Sequence, residues 1–127
     1  MAAQVSRPAA SGWRVAAGFL LAVEALWWAG SAGVLVIGSL GLAATEELLI
    51  IVPVALMVVT LLAVFLLIHA PRGGIWLGLS LQAIVGIHGL VLLVAFASLV
   101  GAFEIAVGVI AAVCLAAAAN DRLRRRE

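Results

Sequence analysis

Residues 48–97 read LLIIVPVALMVVTLLAVFLLIHAPRGGIWLGLSLQAIVGIHGLVLLVAFA. Two apolar runs flank a single charge, Arg72. Each is about 20 residues long, enough to span a hydrocarbon core roughly 30 Å thick. Nothing in either run offers a polar face to water, so each reads as one membrane-crossing helix. The group Ala70-Pro71-Arg72-Gly73-Gly74 reads as the turn between them, because proline and glycine interrupt a helix. Working outward, a third apolar run starts near Trp13 and a fourth ends near Asn120. The expected helices cover about Trp13–Leu40, Glu46–His69, Ile75–Ala97 and Glu104–Asn120. Ser98 to Phe103 is expected to form a tight outer turn. Pro53 should kink the second helix. Thr45 looks like its N-cap, with Glu46 and Glu47 in the first turn, where the helix dipole favours acids.

The charges set an orientation. The chain has seven basic residues and no lysine among them. Arg7 and Arg14 precede the first span, Arg72 separates the second from the third, and Arg122, Arg124, Arg125 and Arg126 follow the fourth. Glu46, Glu47 and Glu104 fall in the other connections. Arginine on alternate connections is the positive-inside pattern of four spans with both termini in the cytoplasm. Trp13 and Trp76 fit belt positions at the inner interface.

Composition agrees. Of 127 residues, 67% are hydrophobic and 10% charged, too little polar surface for a soluble domain. The expected fold is all-α: a polytopic membrane protein with four transmembrane helices, N-in/C-in. Residues 1–12 are a disordered cytoplasmic tail, 13–120 the four-helix bundle and 121–127 a basic cytoplasmic tail. The stretch from Trp13 is too long for the ~7–15-residue core of a signal peptide and reads as a retained helix. Absent lysine and tyrosine beside abundant alanine, glycine and arginine fit a GC-rich bacterial genome, so the expected location is a bacterial plasma membrane.

Three residues break the apolar pattern and form the candidate intramembrane polar site: Glu24, Gln82 and His88. Glu24 lies about 15 Å into helix one at a rise of ~1.5 Å per residue. A carboxylate there must face the bundle interior, be protonated, or have a partner. Helices one and three run the same way, with Gln82 about 10 Å deep and His88 about 20 Å deep. Glu24 therefore reaches either one if those helices meet. The preferred pairing is a hydrogen bond to Gln82 or to His88. A proton or substrate site is the functional reading of Glu24. A carboxyl that fixes the bundle is the structural one, and the sequence favours the latter. Trp27 and Trp28 lie beside Glu24 and read first as bulk filling.

Small residues form two stripes, Gly78, Gly86 and Gly89 around Gln82 on helix three, and Gly101, Gly108, Ala112 and Ala116 on helix four. Such stripes let helix backbones approach closely in lipid, within one chain or between chains. Cys114 alone makes no intrachain disulfide. His69 and His88 lie at different depths, which argues against haem. No metal-ligand set, phosphate loop or catalytic triad is present, so neither a cofactor nor enzyme activity is expected. The arginine tail reads as a topology signal that suits anionic lipid rather than nucleic acid.

The segment Leu20-Leu21-Ala22-Val23-Glu24 resembles helix one of small multidrug resistance exporters, which keep an essential glutamate there. The later glycine and tryptophan patterns of that family are missing, and the arginine bias removes the balanced charges of its dual topology. The segment Leu21-Ala22-Val23-Glu24-Ala25-Leu26, with Arg72-Gly73-Gly74-Ile75-Trp76 and then Gln82, is similar to small four-helix integral membrane proteins of actinobacteria with no assigned function. This chain lacks the arginine that often follows the tryptophan there. That likeness implies a fold and no activity.

The leading functional expectation is a non-catalytic accessory or structural subunit, packing against other integral membrane proteins or itself through the small-residue seams. The alternative is a small oligomeric proton-coupled transporter in which Glu24 exchanges a proton for substrate, with Trp27 or Trp28 lining the path.

Overall fold

The computed structural model describes residues 12–38 and 47–127. Four helices account for nearly all of them: α1 Gly12–Gly38, α2 Glu47–His69, α3 Pro71–Phe96 and α4 Leu99–Arg124. Each contains a stretch long and apolar enough to cross a membrane. An isolated apolar chain in lipid can satisfy its peptide groups only by hydrogen bonding within itself, which makes the helix the obligatory local structure. The expected capping role of Thr45 and the N-terminal tail lie outside the described residues, as does the stretch from Ser39 to Leu40 assigned to helix one.

Large apolar side chains cover the outside. Phe19, Leu26, Val34, Ile68 and Val94 are all more than two-thirds exposed. A soluble bundle would turn polar residues outward at such positions; this pattern suits a multi-pass membrane protein.

The helices form a ring in which each packs against its sequence neighbours and α4 closes onto α1. Helices α1 and α3 are therefore diagonal partners. Their contacts advance together, Glu24 with Gln82 and Trp28 with His88, so they run parallel. Helix α4 runs antiparallel to α3: Gly78 faces Leu115, Gln82 faces Gly108, and Gly89 faces Gly101. The inner packing is built from Leu21, Ala63, Leu67, Leu81 and Leu115, with Thr60 closing its hydroxyl onto the Leu56 carbonyl at 2.6 Å.

Two boundaries differ from the sequence expectation. Helix α3 begins at Pro71, not Ile75, and α2 ends at His69 as expected, leaving Ala70 as the whole connector. Proline at the first helical position has its φ preset and lacks a donor the helix end would leave idle. Gly74 then continues the helix, its N–H bonded to the Ala70 carbonyl at 3.1 Å. Helix α4 begins at Leu99, not Glu104, and the connector shrinks to Ala97-Ser98. Ala97 adopts a left-handed conformation, φ 48°, and the Ser98 N–H reaches the Leu92 carbonyl at 3.1 Å. A β-carbon in that region costs roughly 1–2 kcal/mol, partly offset by the extra chain entropy of glycine. Ala97→Gly is expected to stabilise the protein by about 0.5 kcal/mol, seen as a small rise in the thermal midpoint in mild detergent. A lower midpoint would show that Ala97 is not strained. Helix α2 continues through Pro53 without a break.

Candidate functional site

The earlier start of α3 sets the level of its polar residues. Gln82 is 11 residues beyond Pro71, about 16 Å at ~1.5 Å per residue, and Glu24 is 12 beyond Gly12, about 18 Å. They meet across the diagonal. Gln82 Nε2 donates to Glu24 Oε2 at 2.8 Å, and both residues are buried. Glu24 Oε1 and Gln82 Oε1 are also buried and have no hydrogen-bond partner among the described residues.

His88 takes a different partner. Its Nδ1 lies 2.7 Å from Oε2 of Glu104. The other oxygen of Glu104 accepts from Trp27 Nε1 at 3.3 Å. The sequence places Glu104 in an outer connection. It is instead in the second turn of α4 and only 5% exposed. The signal was available in the period: Gly101, Glu104, Gly108, Ala111, Leu115 and Ala118 recur at helical spacing and are all buried. A glutamate inside that stripe has to face the bundle.

Among the expected seam residues, Gly78, Gly89 and Gly108 are in close contact. A β-carbon there would lie 2.9 Å from Leu115, 2.8 Å from the Gly101 carbonyl oxygen and 3.2 Å from Gln82 Oε1, respectively. Gly86 and Ala112 sit beside the seam. Gly86 is half-buried with open space over it, and Ala112 is half-buried next to the fully buried Ala111. The seam therefore joins α3 to α4 within one chain.

Glu24 and Glu104 share the wall of a cavity of about 270 Å³ with Trp27, Trp28, Phe103 and Val85. Trp27 stacks at a tilt on Phe103, centroids 5.4 Å apart, and Trp28 meets the His88 ring edge-on at 5.5 Å. On the rim Leu26 is 73% and Phe103 52% exposed, so the cavity reaches the outer surface between α1 and α4. This arrangement can hold a small amphiphile. Two carboxylates supply the polar end, and aromatic faces attract a cation and supply apolar area. His69 is far along the chain at the end of α2, stacked on Phe65 at 4.2 Å. Among the described residues no three metal-binding side chains gather.

No protein-family model, curated protein or solved structure matches this chain.

Proposed function

We propose that this chain is a multi-pass protein of a bacterial plasma membrane, both termini cytoplasmic, that binds a small amphiphilic cation and exchanges it for a proton at Glu24. The observation that supports this most is the state of Glu24: 4% exposed, one oxygen held by Gln82, the other without a partner among the described residues, in the wall of a tryptophan-lined cavity open to the side. A carboxyl so placed is stable with a proton on it or with a cation beside it. Glu104 is already engaged on both oxygens by Trp27 and His88, which leaves Glu24 as the exchanging group and Glu104 as the charge beside it. Four helices enclose a pocket rather than a path, so transport on this reading needs more than one copy. The placement of arginine on alternate connections supports the orientation.

Trp27 and Trp28 make binding visible. In a Trp13→Phe/Trp76→Phe background, tetraphenylphosphonium is expected to quench the remaining fluorescence saturably. Acidification should weaken the effect because proton and cation compete for one carboxyl. Glu24→Gln should lower the apparent affinity at least tenfold. Unsaturable quenching, or the same titration in Glu24→Gln, would remove the basis of the proposal.

An accessory subunit is the second reading. The close seams are occupied within the chain, which weakens it. The outer face of α1 supports it: Gly18, Gly30 and Gly33 have nothing within 4 Å of a β-carbon position, room for another helix to approach. Native mass spectrometry of the chain extracted from its own membrane separates the two readings. A stoichiometric larger partner favours the subunit, and a homo-oligomer favours the carrier.

A further inference from the structure

The arginine-bearing end of the α3–α4 pair holds a second pocket, of about 280 Å³, that the cavity at Glu24 does not share. Arg72, Arg122 and Arg126 surround it, Trp76 stands at its side, and Ile75, Leu79, Ala119 and Leu123 contribute its apolar floor. Arg72 is in the first turn of α3, whose N-terminus carries no acidic residue and no side-chain cap. Arg122 comes from the last turn of α4, brought level with Arg72 by the antiparallel packing, and Arg126 from just beyond the helix end.

Three features point to an anion with an apolar tail. None of the three arginines is ion-paired among the described residues, and Asp121 and Glu127 do not line the pocket. One guanidinium nitrogen of Arg122, Nη1, is buried and has no hydrogen-bond partner among the described residues. An unmatched buried N–H of a charged group is costly and is normally relieved by a partner. The helix N-terminus adds idle backbone donors and positive potential on the same side. Below this charged rim the floor is aliphatic and continuous with the outer face of the bundle, where Trp76 is 66% exposed at the depth of an interfacial belt.

We propose that this pocket is a binding site for one anionic phospholipid. The phosphate sits among Arg72, Arg122 and Arg126, and an acyl chain runs over Ile75, Leu79 and Ala119. Guanidinium forks match phosphate oxygens in paired hydrogen bonds. A basic pocket between membrane helices has the makings of a headgroup site. The site gives a role to two of the four arginines at the end of α4, Arg122 and Arg126, and it is independent of the exchange proposed at Glu24.

The test uses the full chain, delipidated in mild detergent and titrated by native mass spectrometry with phosphatidylglycerol, phosphatidylcholine and inorganic phosphate. One phosphatidylglycerol per chain is expected to survive activation that strips phosphatidylcholine. Arg122→Gln/Arg126→Gln should weaken it about 25-fold, at about fivefold per charge, whereas Arg124→Gln, outside the pocket, should change it less than twofold. Leu79→Trp fills the floor without touching the charge and should also displace the lipid. It keeps the test decisive if the double variant fails to fold. Equal retention of both lipids, or undiminished phosphatidylglycerol binding in the double variant and in Leu79→Trp, would overturn the site. Displacement of the lipid by inorganic phosphate in millimolar excess would overturn the lipid assignment in favour of a free-anion site.

Discussion

Gly101→Ala is expected to cost about 3 kcal/mol or more and to leave little folded protein in mild detergent. A β-carbon at Gly101 would overlap the Gly89 carbonyl oxygen and lie 2.6 Å from the Leu93 backbone nitrogen. Both obstacles are main chain in the facing helix, so no rotamer change relieves them. The helices have to part, and parting them exposes the seam along its length. Overpacking in a tight core commonly costs 1–3 kcal/mol, and more where the neighbours cannot move. Gly86→Ala is the matched control. Its β-carbon meets nothing within 4 Å, and the swap gains roughly 0.8–1.0 kcal/mol of helix propensity on scales measured in water. Thermal unfolding of the two variants should therefore move in opposite directions. A Gly101→Ala protein as stable as the parent would mean that α3 and α4 do not pack at this distance.

The second large effect is expected at the diagonal contact. Gln82→Leu should destabilise by about 3 kcal/mol, because it removes the one hydrogen bond to a buried carboxyl and leaves both of its oxygens unmatched. Glu24→Leu/Gln82→Leu should recover most of that loss, since two apolar side chains of suitable size leave nothing polar buried. The double variant should nevertheless show none of the saturable tryptophan quenching. That combination, stability restored and binding lost, is what a functional carboxyl predicts. If the double variant is as unstable as Gln82→Leu, the cost lies in side-chain shape and the polar contact matters little.

The four spans and the polar residues facing inward were legible because hydrophobic length and isolated polar residues are strong one-dimensional signals. Depth alone put Glu24 within reach of both Gln82 and His88, and the packing of α1 against α3 selects Gln82. Two kinds of information were missing. Glycine and proline mean turn in a soluble chain, but here Pro71 starts a helix and Gly101 admits a neighbouring backbone. Reading Gly101 as a turn residue pushed the start of α4 to Glu104 and hid a buried acid. The order of helices around the ring was the other gap. Gln82 and His88 are separated by about 120° around α3, which allows one to face α1 and the other a neighbour. Nothing local says that the neighbour is α4, or that it carries the carboxylate which His88 meets. The arginine-lined pocket is likewise spread over two helix ends that are separated by most of the hairpin.

The diagonal position of the Glu24–Gln82 contact has a mechanical consequence. Four rods joined only to their neighbours in a ring keep one soft deformation: the square cross-section can shear into a rhombus while every neighbouring pair stays in contact. A strut across one diagonal removes that freedom. The hydrogen bond of 2.8 Å between α1 and α3 is such a strut. A guest that took Gln82's place on Glu24 would leave the diagonal to the Trp28–His88 ring contact, so filling of the cavity would loosen the cross-section of the bundle.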